Sequence, residues 1–210
     1  IKTPLTSIVN YVDLLKKEQI EPESARAYLD VLERQSARLK KLTEDLVEAS
    51  KASTGNLACT LEPTDVNVLL GQVMGEYESR LEAGQLEPVV QTDPSGPKIL
   101  ADGRLLWRVF DNLLSNICKY AMPGTRVYLS SSVNGGKVTI CFKNISRYPL
   151  NISADELMER FVRGDSSRST EGSGLGLSIA QSLTGLQGGA FALTIDGDLF
   201  KAAVTFSALP

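Results

Sequence analysis

The chain has 210 residues, of which 42% are hydrophobic and 22% are charged, a composition that supports one or two compact domains. The formal net charge is -3, and the first 55 residues carry nine basic and nine acidic side chains. No basic stripe is available to follow a phosphate backbone, so we expect no nucleic acid partner. No apolar run approaches the roughly 18 residues of a membrane span, and we expect any membrane anchor to lie outside these residues.

The first part of the chain is predicted to form two helices. Apolar residues recur at spacings of three and four over residues 1–15 and again over residues 28–49. Pro22 suits the first turn of the second helix, and Gly55 supplies a stop. Because two helices leave part of each apolar stripe uncovered, we expect an antiparallel hairpin that forms a four-helix bundle with a second copy.

After Gly55 the pattern changes to short strands and helices, and Asp102 is the expected N-cap of the most apolar helix. The periodicity predicts helices over residues 64–81, 104–121, 155–161 and 175–186. Alternation predicts strands over residues 87–92, 98–100, 126–132, 137–144, 191–195 and 202–207. We therefore expect an α+β sandwich over residues 56–210, preceded by the helical hairpin over residues 1–55.

The three cysteines, Cys59, Cys118 and Cys141, are widely spaced, and the chain contains no histidine. A structural zinc site needs several cysteine or histidine ligands at close spacing. We expect reduced thiols, as in a cytosolic protein.

The most informative segment is NLLSNICKY, which lies within the predicted apolar helix. Asn112 and Asn116 are four residues apart and share one helical face. One interpretation is structural, since buried amides usually bond to neighbouring groups. The other is functional: the amide oxygens face Mg²⁺, and Lys119 contacts phosphate.

A second segment, EGSGLGLSIA over residues 171–180, is a glycine-rich turn that runs into an apolar helix. Such a turn allows backbone N–H groups to approach an anion at a helix N-terminus. A plain flexible loop has the same composition, and the segment lacks the preceding strand and following lysine of a P-loop. Taken alone, it leaves both interpretations open.

Together and in this order, NLLSNICKY and GSGLGLSIA resemble the N box and G2 box of the bacterial sensor histidine kinases. ERFVRGD, over residues 159–165, is similar to the F box, and IKTPLT, over residues 1–6, is similar to the end of the H box. The resemblance spans the whole chain. It implies a catalytic core made of a dimerising phosphoacceptor hairpin and an ATP-binding sandwich of the Bergerat type.

The resemblance also implies roles for individual residues. Asn116 is the main Mg²⁺ ligand, and Asn112 completes the shell of magnesium and water. Lys119 contacts the phosphates of ATP, and Tyr120 packs beside the nucleoside.

The same resemblance makes residues 145–173 a lid over the nucleotide. Arg163 reaches the γ-phosphate from this lid, although an exposed surface charge is the alternative interpretation. Gly172, Gly174 and Gly176 form its hinge.

Thr3 matches the residue that orients water in phosphatase-competent members, where the phosphorylated response regulator is hydrolysed. A simple helix-start threonine is the alternative.

The family places its phosphoacceptor histidine and an acidic neighbour immediately before the position of Ile1, so we expect these residues to lie outside the chain. The implied partners are a second copy, bound through the hairpin, and a response-regulator receiver domain. The implied location is the cytoplasmic part of a membrane-anchored sensor, with the anchor in an upstream segment.

One departure from the family is the absence of its G1 box, DxGxG. The corresponding segment is KNISR, and Asn144 stands where the adenine-reading aspartate is expected. An asparagine oxygen can accept a hydrogen bond from the adenine amino group, but it is neutral, so we expect weaker ATP binding.

Three hypotheses follow for function. The first is a kinase that transfers the γ-phosphoryl of ATP to a hairpin histidine and then to a response-regulator aspartate. The second is a degenerate nucleotide-binding or scaffold module with little kinase activity. The third is another ATPase of the superfamily, such as a topoisomerase or chaperone module, against which the IKTPLT hairpin argues.

Overall fold

The computed structural model of the chain describes residues 2–16, 20–54, 57–151, 153–158 and 174–209. The chain divides into two compact units, Ile1–Glu48 and Ala49–Pro210. The first unit is helical, and the second combines helices with β-sheet.

The first unit contains α1 (Lys2–Leu15) and most of α2 (Pro22–Ser53), a helix of 32 residues. The rings of Tyr11 and Tyr28 lie 5.5 Å apart at an interplanar angle of 55°, a tilted geometry that aromatic pairs prefer. The two helices therefore contact each other, as the predicted hairpin requires. Large apolar side chains remain exposed on both helices, at Leu5, Val9, Leu29, Leu46 and Val47.

The second unit holds the remaining elements, in an order close to the predicted one. They are β1 (Glu62–Asp65), α3 (Val66–Ala83), β2 (Glu87–Gln91), β3 (Lys98–Ala101), α4 (Gly103–Tyr120), β4 (Arg126–Asn134), β5 (Lys137–Ile145), α5 (Ala154–Met158), α6 (Gly176–Leu186), β6 (Ala190–Asp196) and β7 (Leu199–Ser207).

The start of α3 differs from the prediction. Thr64 and Asp65 were predicted to be helical, but both belong to β1, and the helix begins at Val66. The carboxylate of Asp65 accepts hydrogen bonds from the backbone N–H groups of Asn67 and Val68, both at 3.0 Å. Asp65 is therefore the N-cap, which has extended rather than helical backbone angles.

Five strands form the main sheet in the order β2-β4-β5-β7-β6, and β1 and β3 form a separate pair. The β2–β4 pair is parallel, and the other neighbours are antiparallel. The β4–β5 hairpin turns at Gly135 and Gly136, whose φ angles of 56° and 72° favour glycine.

The core lies between one face of the sheet and the helices α3, α4 and α6. Along β5 the inward-facing residues Val138, Ile140 and Phe142 have no exposed surface. The ring of Phe142 lies 5.4 Å from the ring of Phe110 on α4, which joins the sheet to this helix. Because side chains alternate along a strand, Asn144 is the next residue on the same inward face.

Candidate functional site

The helix α4 has an apolar face that packs in the core and a polar face that carries the predicted ligands. Its buried residues include Leu106, Phe110 and Leu113. Asn112 and Asn116 are half-buried and lie one helical turn apart. Lys119 falls on the same side of the helix, because seven residues make nearly two turns.

The amide of Asn112 has a defined orientation. Its Nδ2 donates a hydrogen bond of 2.9 Å to the backbone carbonyl of Arg108. A Cβ atom placed on Gly176 would lie 3.4 Å from Asn112 Oδ1. The free acceptor of Asn112 therefore faces the first residue of α6.

Asn116 has no side-chain hydrogen bond within the part of the chain that the structure describes. Its oxygen and that of Asn112 are thus available as acceptors on one face of α4. Amide oxygens are ligands that Mg²⁺ accepts. No group of three or more histidine, cysteine, aspartate or glutamate side chains among the described residues could hold a metal ion. A cation at α4 would therefore need the asparagine oxygens together with oxygens of a bound ligand.

The N-terminus of α6 fits an anionic ligand. Gly174 has a φ angle of 70°, which favours glycine, and α6 begins after it without a side-chain N-cap hydrogen bond. The first N–H groups of a helix lack intrahelical partners and attract negative charge. Gly176 has a helical backbone that any residue could adopt, yet its missing side chain leaves the space beside Asn112 open. The residues present therefore fit a phosphate-bearing ligand with a bound cation.

The end of β5 lies against the end of α4. The backbone N–H of Arg147 donates to the carbonyl of Tyr120 at 2.8 Å, and that of Met122 donates to the carbonyl of Ile145 at 2.9 Å. Asn144 is only 3% exposed, and its Nδ2 donates to the same Ile145 carbonyl at 3.1 Å. The residue predicted to contact the base is thus brought to the end of the helix that carries the predicted metal ligands.

The structure brings most of the predicted residues into one region and leaves others apart. Around α4, in the second unit, lie Asn112, Asn116, Lys119, Tyr120, Asn144, Gly174 and Gly176. Thr3 is exposed on α1 in the first unit. Arg163 and Gly172 lie outside the described residues, and their roles stay predictions.

The predicted lid begins too early in the chain. Ile145 was assigned to it, but Ile145 is the last residue of β5 and pairs with Leu199 of β7. The proposed lid therefore starts after β5 ends at Ile145.

A network behind Asn112 was not predicted. The hydroxyl of the buried Tyr77 on α3 lies 2.5 Å from Asp111 Oδ1, and Arg108 Nη1 lies 2.9 Å from Asp111 Oδ2. Burial raises the pKa of Tyr77 far above its ordinary value, and the hydrogen bond to Asp111 raises it further. The neutral hydroxyl therefore holds α3 against α4, one residue before Asn112. The spacing of Arg108 and Asp111 was the available signal for an i,i+3 ion pair.

A second unpredicted contact joins the start of α4 to the residue that follows α6. The buried Asp102 caps α4 through hydrogen bonds from the N–H groups of Arg104 and Leu105, as predicted for an N-cap. Its own backbone N–H donates to Gln187 Oε1 at 3.0 Å, just after α6. The helices that carry the two motifs are thus joined by hydrogen bonds as well as by packing.

Comparison with known protein families assigns both parts of the chain. Residues 1–55 match the His Kinase A (phospho-acceptor) domain, and residues 101–207 match the family of histidine kinase-, DNA gyrase B-, and HSP90-like ATPases. The chain belongs to the sensor histidine kinases and is a catalytic core of that family. The predicted family and the predicted fold class, a helical region followed by an α/β sandwich, are confirmed.

Curated relatives support the same assignment. The chain is 31% identical to the sensor protein VanS of Enterococcus faecium, over 90% of this chain and 50% of that protein. It is 27% identical to the sensor-like histidine kinase SenX3 of Mycolicibacterium smegmatis, over 92% of this chain and 50% of that protein. The chain therefore spans about half the length of these curated relatives.

Solved structures have the same fold. The Acinetobacter baumannii histidine kinase AdeS gives a TM-score of 0.77 at 19% identity, over 100% of this chain and 97% of that chain. Histidine kinase ThkA, in complex with the response regulator protein TrrA, gives 0.74 at 18% identity, over 100% of this chain and 59% of that chain. Among the described helices, none combines the length and the apolar character that crossing a membrane requires.

Proposed function

We propose that this chain binds Mg²⁺-ATP in its second unit and catalyses transfer of the γ-phosphoryl group to a histidine. The observation that carries the proposal is the pair of asparagine oxygens on α4, one of which faces the start of α6 where Gly176 has no side chain. We assign residues 1–55 to the dimerisation and phosphotransfer hairpin and residues 56–210 to the ATP-binding domain.

Each residue around α4 has a distinct task in this proposal. Asn116 and Asn112 present oxygens to Mg²⁺, and the N–H groups at the start of α6 bind phosphate oxygens. Lys119 contacts the phosphates, and Tyr120 packs beside the nucleoside. When bound, the ion neutralises charge on the phosphates, and the protein contributes mainly by positioning them.

The base would be bound at the end of β5. Asn144 Oδ1 accepts a hydrogen bond from the 6-amino group of adenine, while Nδ2 remains bonded to the Ile145 carbonyl. Since the acceptor is neutral, the contact is weaker than one made by a carboxylate. We propose in addition that Arg163 reaches the γ-phosphate, and that Gly172, Gly174 and Gly176 allow the segment before α6 to close.

The acceptor histidine must come from outside these 210 residues, which contain none. We propose that the phosphoryl group moves from this histidine to an aspartate of a response-regulator receiver domain. The match of residues 1–55 to the phospho-acceptor domain supports this route, as does the similar fold of ThkA in its complex with TrrA. Thr3 would orient water in the reverse, phosphatase reaction. We place the chain on the cytoplasmic side of a membrane-anchored sensor.

The phosphotransfer test compares three proteins incubated with Mg²⁺ and γ-labelled ATP. They are the chain itself, the chain extended at Ile1 by histidine and glutamate, and a control extended by alanine and glutamate. We expect acid-labile label only on the protein with histidine. Label on the other two would refute the histidine route.

A second candidate, a scaffold with little kinase activity, is favoured by one observation, the replacement of the G1 box around Asn144. It predicts that the extended chain binds no ATP and acquires no label. Equilibrium binding of a fluorescent ATP analogue, measured on the same three proteins, distinguishes the two functions.

A further inference from the structure

Asn144 is a polar residue at the end of an apolar row. Val138, Ile140 and Phe142 precede it on the inward face of β5 and have no exposed surface, and Asn144 itself is 3% exposed. A buried amide needs partners, because desolvation without a hydrogen bond is unfavourable. In the described part of the chain its one hydrogen bond is from Nδ2 to the Ile145 carbonyl. Asn144 Oδ1 is not among the described side-chain atoms that are both fully buried and without a hydrogen bond, so it retains access to solvent. Oδ1 and the second N–H are therefore available to a ligand.

The contact with Ile145 explains why an amide suits this position. A carboxylate in the same orientation would place an oxygen about 3 Å from the Ile145 carbonyl oxygen, with no proton between them. The amide supplies that proton. A buried aspartate at residue 144 would therefore have to turn away from Ile145 and use both oxygens elsewhere.

The amide can also present a donor to a ligand without turning over. Nδ2 carries two N–H groups, and one of them stays on the Ile145 carbonyl. The second N–H can donate to a ligand while Oδ1 accepts. Asparagine can thus offer either half of its amide to a ligand, whereas an ionised aspartate can only accept.

We propose that Asn144 makes the base site accept 6-oxopurine nucleoside triphosphates as well as ATP. This inference rests on the proposed function, in which Asn144 contacts position 6 of the base. With adenine, Oδ1 accepts from the amino group. With a 6-oxopurine, Nδ2 donates to the carbonyl oxygen, which a carboxylate at this position would repel.

The probe is inosine triphosphate, which has a carbonyl at position 6 and a proton on N1 where ATP has an amino group and a lone pair. Calorimetric titration of the 210-residue chain with each nucleotide and Mg²⁺ gives two dissociation constants. We expect them to agree within about tenfold, the scale of one neutral hydrogen bond. Inosine triphosphate binding more weakly than that, while ATP binds, overturns the inference. If neither nucleotide binds, the proposed function fails and this inference with it.

Substitutions at residue 144 provide the internal comparison. Asn144→Asp should raise the ratio of the inosine triphosphate and ATP dissociation constants about tenfold or more, because the donor is lost. Asn134→Asp makes the same change in charge on the exposed hairpin at the other end of β5 and should leave the ratio unchanged. Equal ratios in the two variants would contradict the inference.

A third variant guards against failure of Asn144→Asp to fold. Asn144→Ala removes donor and acceptor together without adding charge, and a thermal melt establishes whether it folds. We expect it to weaken the binding of both nucleotides by similar factors of about tenfold. Unchanged affinities for both would exclude contact between Asn144 and the base.

Discussion

Gly176 lies at the start of α6 without the strained backbone that usually explains a glycine. Its φ angle is not positive, and among the described residues a Cβ there would meet only the Asn112 amide, at 3.4 Å from Oδ1. Alanine is the better helix former, by about 1 kcal/mol relative to glycine in a helix interior and by less at the first helical position, which Gly176 occupies. Folding alone would therefore not require glycine at this position, and the open space is consistent with the proposed ligand beside Asn112.

Gly176→Ala separates folding from binding. We expect the melting temperature to stay the same or to rise, because helix propensity increases. We expect affinity for an ATP analogue to fall about tenfold or more, since the methyl group enters the proposed phosphate space and overpacks it. Gly185→Ala is the matched control, because it lies in the same helix and no described atom lies within 4 Å of the added carbon. Equal nucleotide affinity of the two variants would contradict the assignment.

Asn112 and Asn116 could be selected from the sequence because the motif is local, whereas the contacts that orient them could not. The Tyr77–Asp111 contact joins residues 34 positions apart. No spacing within α3 or α4 indicates that these two side chains meet.

At the scale of the elements, the N-terminus of α4 depends on one carboxylate. Asp102 Oδ2 accepts hydrogen bonds from the Thr60 N–H at 3.1 Å and from Arg104 Nη2 at 3.0 Å, while Oδ1 caps the helix. Burial raises the pKa of Asp102. The hydrogen bonds from Arg104, Thr60 and Leu105 outweigh that effect, so the pKa lies below its ordinary value of 3.8. The ionised form is therefore the one that the fold stabilises.

The sign of this pKa shift predicts a pH dependence. A carboxylate with a depressed pKa in the folded state stabilises the protein above its unfolded pKa, and the contribution is lost as pH falls through the folded value. Asp102→Asn should lower stability at pH 7 by about 1 kcal/mol, the scale of one cap or hydrogen bond. The difference in unfolding free energy between this variant and the unsubstituted chain should become smaller below about pH 4.

Thermal melts between pH 7 and pH 3 measure this difference. Asp196→Asn, at the exposed end of β6, is the control and should change stability by less than about 0.5 kcal/mol. If the loss of stability caused by Asp102→Asn does not vary with pH, the role given to the Asp102 charge is contradicted.

Strongly periodic elements were predicted closely, and elements that depend on distant pairing were not. Residues 104–121 were predicted as a helix and α4 spans Gly103–Tyr120, because its apolar face repeats without interruption. β1 was missed, since its four residues, EPTD, have no alternation and contain a proline. Its strand character comes from antiparallel pairing with Lys98–Ala101, more than 30 residues away.

At the scale of the whole molecule, the exposed apolar residues of the first unit bear on assembly. Leu5, Val9 and Leu29 are 50%, 51% and 55% exposed on α1 and α2. Burying such a stripe against a second copy would form the four-helix bundle expected from the sequence. We predict that the chain is a dimer, which light scattering coupled to size exclusion measures directly.

A variant tests whether this stripe is the contact. Val9→Glu together with Leu29→Glu should give a monomer, because charges replace the apolar contacts, while nucleotide binding by the second unit should be unchanged. Val68→Glu makes the same kind of change at a residue of α3 that is 57% exposed. It should leave the molar mass of the dimer, as measured by light scattering, unchanged. A monomeric unsubstituted chain at high concentration would contradict the prediction.

The central claim is that Asn116 binds the cation that accompanies ATP, and Asn116→Asp tests it most directly. The substitution keeps the size and one oxygen acceptor but adds a negative charge. Calorimetric titration with an ATP analogue and Mg²⁺ is run beside thermal melts of both proteins without nucleotide. If Asn116 is a ligand, nucleotide affinity should change about tenfold or more, while the melting temperature changes little. If Asn116 is a structural amide, the new carboxylate is desolvated without a cation and stability should fall by a few kcal/mol. Unchanged affinity with a large loss of melting temperature would contradict the account.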